Sequence, residues 1–211
     1  LKREMDRLAD QGRTPMAVAL DGQIAGVIAV ADEVRPEAKA MVAGLHKVGV
    51  KDVVMLTGYN RRVAEAVAKE VGVDEVEAGL LPEDKLEAIQ ALQRQGYTVA
   101  MVGDGVNDAP ALATANVGIA MGAAGTGVAI ETADIALMND ELMKLPQAMA
   151  LARRTVAVMR ENIAIALITV ALLLIGVFLG EVSMALGMLV HEGSVLLVIL
   201  NAMRLTRSPR R

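Results

Sequence analysis

Short apolar runs broken by glycine, proline and charge occupy the chain up to about residue 140, and two long uncharged runs follow. Leu1 to Ala9 has helical spacing. Met16 to Leu20 and Gln23 to Val30 read as strands joined by the turn Asp21-Gly22, and a hairpin is the simplest arrangement. Asp32-Glu33-Val34-Arg35-Pro36 opens a helix with Pro36 near its first turn and Ala40, Leu45 and Val48 on one face. A buried strand over Val53 to Leu56, a helix from Arg62 to Val71 and a short strand around Val76 to Ala78 come next. Leu81-Pro82-Glu83-Asp84-Lys85 starts a helix that runs to about Gln95, and Val99 to Val102 reads as a buried strand. Val117 to Met121 and Ile135 to Met138 are further short strands, separated by the glycine-rich Gly122 to Gly127. Apolar strands alternating with helices predict a parallel α/β sheet covered on both faces. Ligands of such sheets gather at the carboxyl ends of the strands, where Thr57-Gly58 and Asp104-Gly105 fall.

From Glu141 a long helical pattern leads into the uncharged region. Ile163 to Leu179 and Met184 to Met203 are each about long enough to cross a membrane, with Gly180 to Ser183 as the turn between them. Arg153, Arg154 and Arg160 precede the first run, and Arg204, Arg207, Arg210 and Arg211 follow the second. The positive-inside rule then places both ends of the hairpin in the cytoplasm, with Glu181 the charge on the far side. The rival reading is a pair of buried core helices in a soluble protein; arginines at the ends of both runs favour the membrane. The predicted organisation is a soluble α/β domain over 1–145, a helical linker over 146–162, two transmembrane helices over 163–205 and a cytoplasmic tail over 206–211.

Composition changes this picture little. The 211 residues suit one or two domains, and a net charge of −4 gives no reason to expect a nucleic-acid partner. The chain has no cysteine, which removes disulfides and thiolate ligands. It starts at Leu1 with no signal peptide, so a piece of a longer chain is expected.

The candidate chemistry centres on Met101-Val102-Gly103-Asp104-Gly105-Val106-Asn107-Asp108-Ala109-Pro110, where a strand ends and a helix opens. Asp104 and Asp108 stand about one helical turn apart, close enough to converge on a hard cation such as Mg2+. Gly105 permits the turn, and the Asn107 amide can bond a phosphoryl oxygen or a water. Taken as a bare Gly-Asp-Gly this would be an ordinary turn. With Thr57 after one strand and Lys85 at a helix start, it gains the hydroxyl and ammonium that phosphoryl transfer needs beside its carboxylates.

Together these elements resemble the haloacid-dehalogenase-type phosphorylation domain. Asp32 to Pro36, Met55-Leu56-Thr57-Gly58, Pro82-Glu83-Asp84-Lys85, Gly103 to Leu112 and Thr132-Ala133-Asp134 narrow the resemblance to the P-type ATPases, over nearly the whole chain. The resemblance implies ATP-driven ion transport through an aspartyl-phosphate. Thr57, Gly58, Lys85 and Asn107 would then serve the phosphoryl group, and Asp104 and Asp108 the Mg2+. In the second apolar run, His191 and Glu192 are ionisable groups at membrane depth, and Ser194 lies on the face of His191. Imidazole and carboxylate suit divalent cobalt, zinc or nickel better than monovalent copper. His191-Glu192-Gly193-Ser194 followed by Leu200 to Leu205 is similar to the last helix of the cobalt/zinc-type heavy-metal ATPases. Such a pump sits in the cell membrane.

Departures accompany the matches. The family's Asp-Lys-Thr-Gly-Thr nucleophile string is absent, so the expected partner is the N-terminal part of the same pump, and the chain by itself is expected to be inactive. Tyr59 stands where the family has aspartate, Gly127 where Gly-Thr-Asp is common, and Val195 where threonine ends the metal motif. Two other readings remain open: a non-catalytic membrane-anchored remnant or partner subunit, and a soluble phosphatase of the same superfamily, which would lack its usual N-terminal Asp-x-Asp.

Overall fold

The computed structural model describes residues 1–30, 33–103, 106–122, 131–139 and 141–206. Asp32, Asp104, Gly105, Gly127, Arg207, Arg210 and Arg211, all invoked above, lie outside the described residues, as does most of the glycine-rich segment after Gly122. The chain divides into two compact units, Leu1–Pro146 and Gln147–Arg211.

The first unit opens with α1 (Lys2–Ala9) and an antiparallel hairpin, β1 (Thr14–Leu20) and β2 (Gln23–Val30). Asp21 and Gly22 both take positive φ, 51° and 77°, the pairing that a two-residue hairpin turn of matching twist requires. Helix α2 (Ala38–Lys47) begins later than expected and buries Ala38, Val42 and Leu45. The predicted Ala40, Leu45 and Val48 face is thus corrected: Ala40 is exposed, because the i, i+4, i+7 stripe runs from Ala38.

Strand β3 (Val54–Thr57) pairs in parallel with β4 (Glu75–Ala78), and α3 (Arg61–Val71) is the crossover between them. The Asn60 side chain caps α3 by accepting from the Val63 amide at 3.1 Å. Helix α4 (Pro82–Arg94) starts at a proline, and the Asp84 carboxylate takes the Leu81 amide at 2.8 Å. Then come β5 (Ala100–Gly103), a 3-10 turn (Val106–Asp108), α5 (Ala109–Thr114), β6 (Val117–Met121) and β7 (Ile135–Leu137), the three strands parallel in the order β5-β6-β7.

The single sheet expected from the strand–helix alternation is therefore divided. Strands β3 and β4 form one piece and β5 to β7 another, and among the described residues no strand pairs with both. The same division corrects the expected burial: β3 is half-buried throughout and Val102 in β5 is 39% exposed. A strand lacking a neighbour on one side lacks that neighbour's side chains as cover as well. The largest fully buried side chains, Ile89 of α4 and Leu112 of α5, lie on neighbouring helices.

The second unit holds most of α6 (Lys144–Phe178) and all of α7 (Met184–Met203). Both are long and apolar enough to cross a membrane. Neither helix is covered within this structure, since α7 buries no residue and Phe178 at the end of α6 is 87% exposed, which speaks against the rival reading of helices buried in a core of this chain. The turn closes through the Glu181 amide on the Gly176 carbonyl at 3.0 Å, and Ser183 caps α7 by accepting from the Leu186 amide at 3.3 Å.

Ile89→Ala removes a branched side chain from the tightest part of the first unit. It is expected to lower stability by about 2–5 kcal/mol, read by urea denaturation in detergent.

Candidate active site

Three elements of the first unit point their ends at one region. Strand β3 ends at Thr57, with Gly58 next; β5 ends at Gly103; and the first turn of α4 carries Lys85. The loops after β3 and β4 are tied together, since the Leu80 amide donates to the Thr57 carbonyl at 3.0 Å and the Gly79 amide to the Tyr59 carbonyl at 2.8 Å. The Thr57 hydroxyl oxygen accepts from the Tyr59 amide at 3.2 Å, which orients it while leaving its proton for another acceptor.

Lys85 and Asp108 meet. The ammonium donates to Asp108 Oδ1 at 2.8 Å, with the side chains only 20% and 16% exposed. Asp108 closes the 3-10 turn and folds back over the end of β5. A Cβ on Gly103 would sit 2.7 Å from Asp108 Cβ and 3.0 Å from its Oδ2, so glycine is required for that approach. Asn107 is exposed beside it. Among the described residues no hydrogen bond joins Thr57 to the Lys85–Asp108 pair.

The sequence motif included Gly103 without revealing what it does, because a close approach between a strand end and a later carboxylate leaves no mark in local spacing. Asp134, singled out only as part of a signature, plays a structural part. Its Oδ2 accepts from the Gly118 amide at 2.8 Å and secures the start of β6. Asn116 acts similarly at β5, accepting from the Val99 amide at 2.8 Å, while Gln93 of α4 donates to the Thr114 carbonyl at 2.9 Å.

In the second unit His191 and Glu192 are exposed mid-helix on α7. As neighbours in sequence they point about 100° apart around the helix axis. The Ser194 hydroxyl donates to the His191 carbonyl at 2.7 Å, so its oxygen lone pairs remain for a ligand. Among the described residues no three histidine, cysteine or carboxylate side chains gather closely enough to hold a metal ion.

The parallel part of the first unit thus carries a hydroxyl and a carboxylate just past two strand ends and an ammonium on the first turn of α4. The family model described as haloacid dehalogenase-like hydrolase matches residues 1–116, and the chain belongs to that family. It is 48% identical over 200 residues to a probable cadmium-transporting ATPase of Staphylococcus aureus, covering 95% of this chain and 25% of that protein. A manganese-exporting P-type ATPase of Mycobacterium leprae is 48% identical over 203 residues, covering 96% of this chain and 28% of that one. Among solved structures, a zinc-transporting PIB-type ATPase in its E2.Pi state superposes with a TM-score of 0.85 at 44% identity, over 98% of this chain and 34% of the other. The expected kinship with heavy-metal P-type ATPases is borne out, and so is a haloacid-dehalogenase-like α/β domain followed by two apolar helices. The chain spans about a quarter of the length of the curated relatives it matches.

Gly103→Ala forces the Asp108 side chain away from the end of β5 and lengthens its contact with Lys85. The expected loss is about 1–3 kcal/mol in urea denaturation without nucleotide or metal present.

Proposed function

We propose that this chain is the phosphorylation-domain and final-hairpin segment of an ATP-driven exporter of divalent heavy metal, of the cobalt, zinc or nickel class. The observation that carries the reading is the Lys85–Asp108 pair, largely withdrawn from water over Gly103.

The chemistry follows from what each side chain can do. The Lys85 ammonium offsets charge on a transferring phosphoryl group and, by its hold on Oδ1, fixes the Asp108 carboxylate. Thr57 donates its hydroxyl proton to a phosphoryl oxygen while the Tyr59 amide holds its oxygen. Gly58 keeps the β3 loop free of a side chain there, and Asn107 offers an amide from the exposed side. The donor set fits a hard cation: Asp108 supplies carboxylate oxygens in a cradle that a Cβ on Gly103 would fill. Asp108 with Asp104 would hold Mg2+, which when bound neutralises phosphoryl charge.

The phosphate acceptor of this scheme is an aspartate in another part of the pump, since no Asp-Lys-Thr-Gly-Thr string occurs in this sequence. Among the described residues β3 and β5 each have one unpaired edge, and a parallel strand entering between them would deliver such an aspartate to the region where Thr57, Lys85 and Asp108 stand. Helices α6 and α7 would cross the cell membrane with both ends cytoplasmic, in keeping with Arg153, Arg154, Arg160 and Arg204 at one end of the hairpin and Glu181 at the other. His191, Glu192 and Ser194 would supply part of the transport site, completed by helices from the rest of the pump.

The test joins this chain to the N-terminal part of a heavy-metal P-type ATPase and measures ATP hydrolysis against cobalt, zinc, nickel, cadmium and manganese. Metal-stimulated turnover is expected, and Asp108→Ala should reduce it by about 10²-fold or more. Hydrolysis that ignores every divalent metal sinks the transport reading. Metal-stimulated turnover unchanged by Asp108→Ala sinks the site assignment and favours a non-catalytic partner role.

A further inference from the structure

At the charged end of the hairpin, four side chains from the two helices close on one another. The Asn201 amide donates to Glu161 Oε2 at 3.0 Å and to Asn162 Oδ1 at 2.9 Å, while its own oxygen accepts from Arg204 at 2.7 Å. Arg204 also donates to Glu161 Oε2 at 3.2 Å, and Arg154 donates to the Arg204 carbonyl. Both donors of the Asn201 amide and its acceptor are used, and the Glu161–Arg204 pair cancels in charge.

An arrangement of this kind resists sliding. Helices that meet through apolar side chains can slip or turn against each other at small cost, whereas an asparagine with fixed partners on the facing helix specifies one register. Along α7, Ser194 lies about two turns, roughly 10 Å, before Asn201 and nearly on the same face; His191 is about one turn further. A slip of one residue would turn that face by about 100° and move it by about 1.5 Å.

We infer that Asn201 is a positioning residue: held by Glu161, Asn162 and Arg204, it sets the height and rotation of α7 and thereby aims His191 and Ser194. The inference rests on the transport reading proposed above, and it assigns Asn201 no contact with the metal.

The experiment uses the completed pump. Asn201→Ala should raise the metal concentration for half-maximal ATP hydrolysis about tenfold and leave metal-independent phosphorylation by inorganic phosphate within about twofold. Exchanging donor and acceptor, with Glu161→Gln and Asn201→Asp together, preserves both the bond between the helices and the partner for Arg204. That pair should recover a near-wild-type metal response, which a merely damaged helix would not. Amide hydrogen exchange across residues 196–203 reads the lock by itself and should rise in Asn201→Ala and return in the exchanged pair, whether or not metal stimulates turnover. A wild-type metal response in Asn201→Ala, or an exchanged pair as impaired as the alanine variant, overturns the assignment. A completed wild-type pump indifferent to all divalent metals instead overturns the transport reading; the exchange measurement then still decides whether Asn201 fixes the register of α7.

Discussion

An ammonium held 2.8 Å from a carboxylate, with both side chains mostly shielded from water, links the two pieces of the divided sheet. Lys85 belongs to the helix that follows β4, and Asp108 to the turn that follows β5. Such a pair adds little to stability, since desolvating the two ions offsets most of their attraction. Its value is in where it leaves charge. The lysine is drawn toward the carboxyl ends of the strands, and the aspartate is fixed over a glycine that admits it. Either group alone in that position would carry an uncompensated charge. Together they balance, and under the proposed function the pair would receive a phosphoryl group with its cation.

How much of this was legible in the sequence depends on the range of the forces involved. Strands and helices announced themselves through local periodicity, so the order from β1 to α7 matched expectation within a residue or two at most ends. The buried face of α2 was misread, because which stripe of a helix is covered is decided by its neighbours; Ala40 and Ala38 look alike in sequence. The division of the sheet was invisible for the same reason. Strand pairing joins residues far apart in the chain, and an apolar run such as Val99 to Val102 reads as buried whether or not a neighbour covers it. At the site, Lys85 and Asp108 were identified by type and motif, whereas their contact and the role of Gly103 needed coordinates.

The departures from the family pattern acquire a physical reading as well. Tyr59 replaces an expected carboxylate, yet its backbone makes two local bonds: its amide orients Thr57 and its carbonyl takes the Gly79 amide. Those bonds are independent of the side chain, so the loop after β3 keeps its shape with a phenol where an anion was expected. What changes is the charge that the side chain brings beside Thr57, not the backbone bonds of the loop.

In the hairpin, polar side chains fall into two tiers that obey different rules. Glu161, Asn162, Asn201 and Arg204 satisfy one another between the helices, and polar groups near an apolar medium must do so to be tolerated at small cost. His191 and Glu192 stand higher on α7, exposed, and among the described residues neither side chain makes a hydrogen bond or ion pair. If the lower tier is architecture, the upper one is not explained by architecture, because an imidazole and a carboxylate on the outside of an apolar helix destabilise its insertion unless something polar meets them there. The Ser194 hydroxyl shows the difference within one helix turn: by donating to the His191 carbonyl it satisfies itself, as a serine on a membrane helix can, whereas histidine and glutamate cannot satisfy themselves in that way. Under the proposed function a partner from outside the hairpin would meet them there, and it would have to suit a nitrogen donor and a carboxylate oxygen that point about 100° apart.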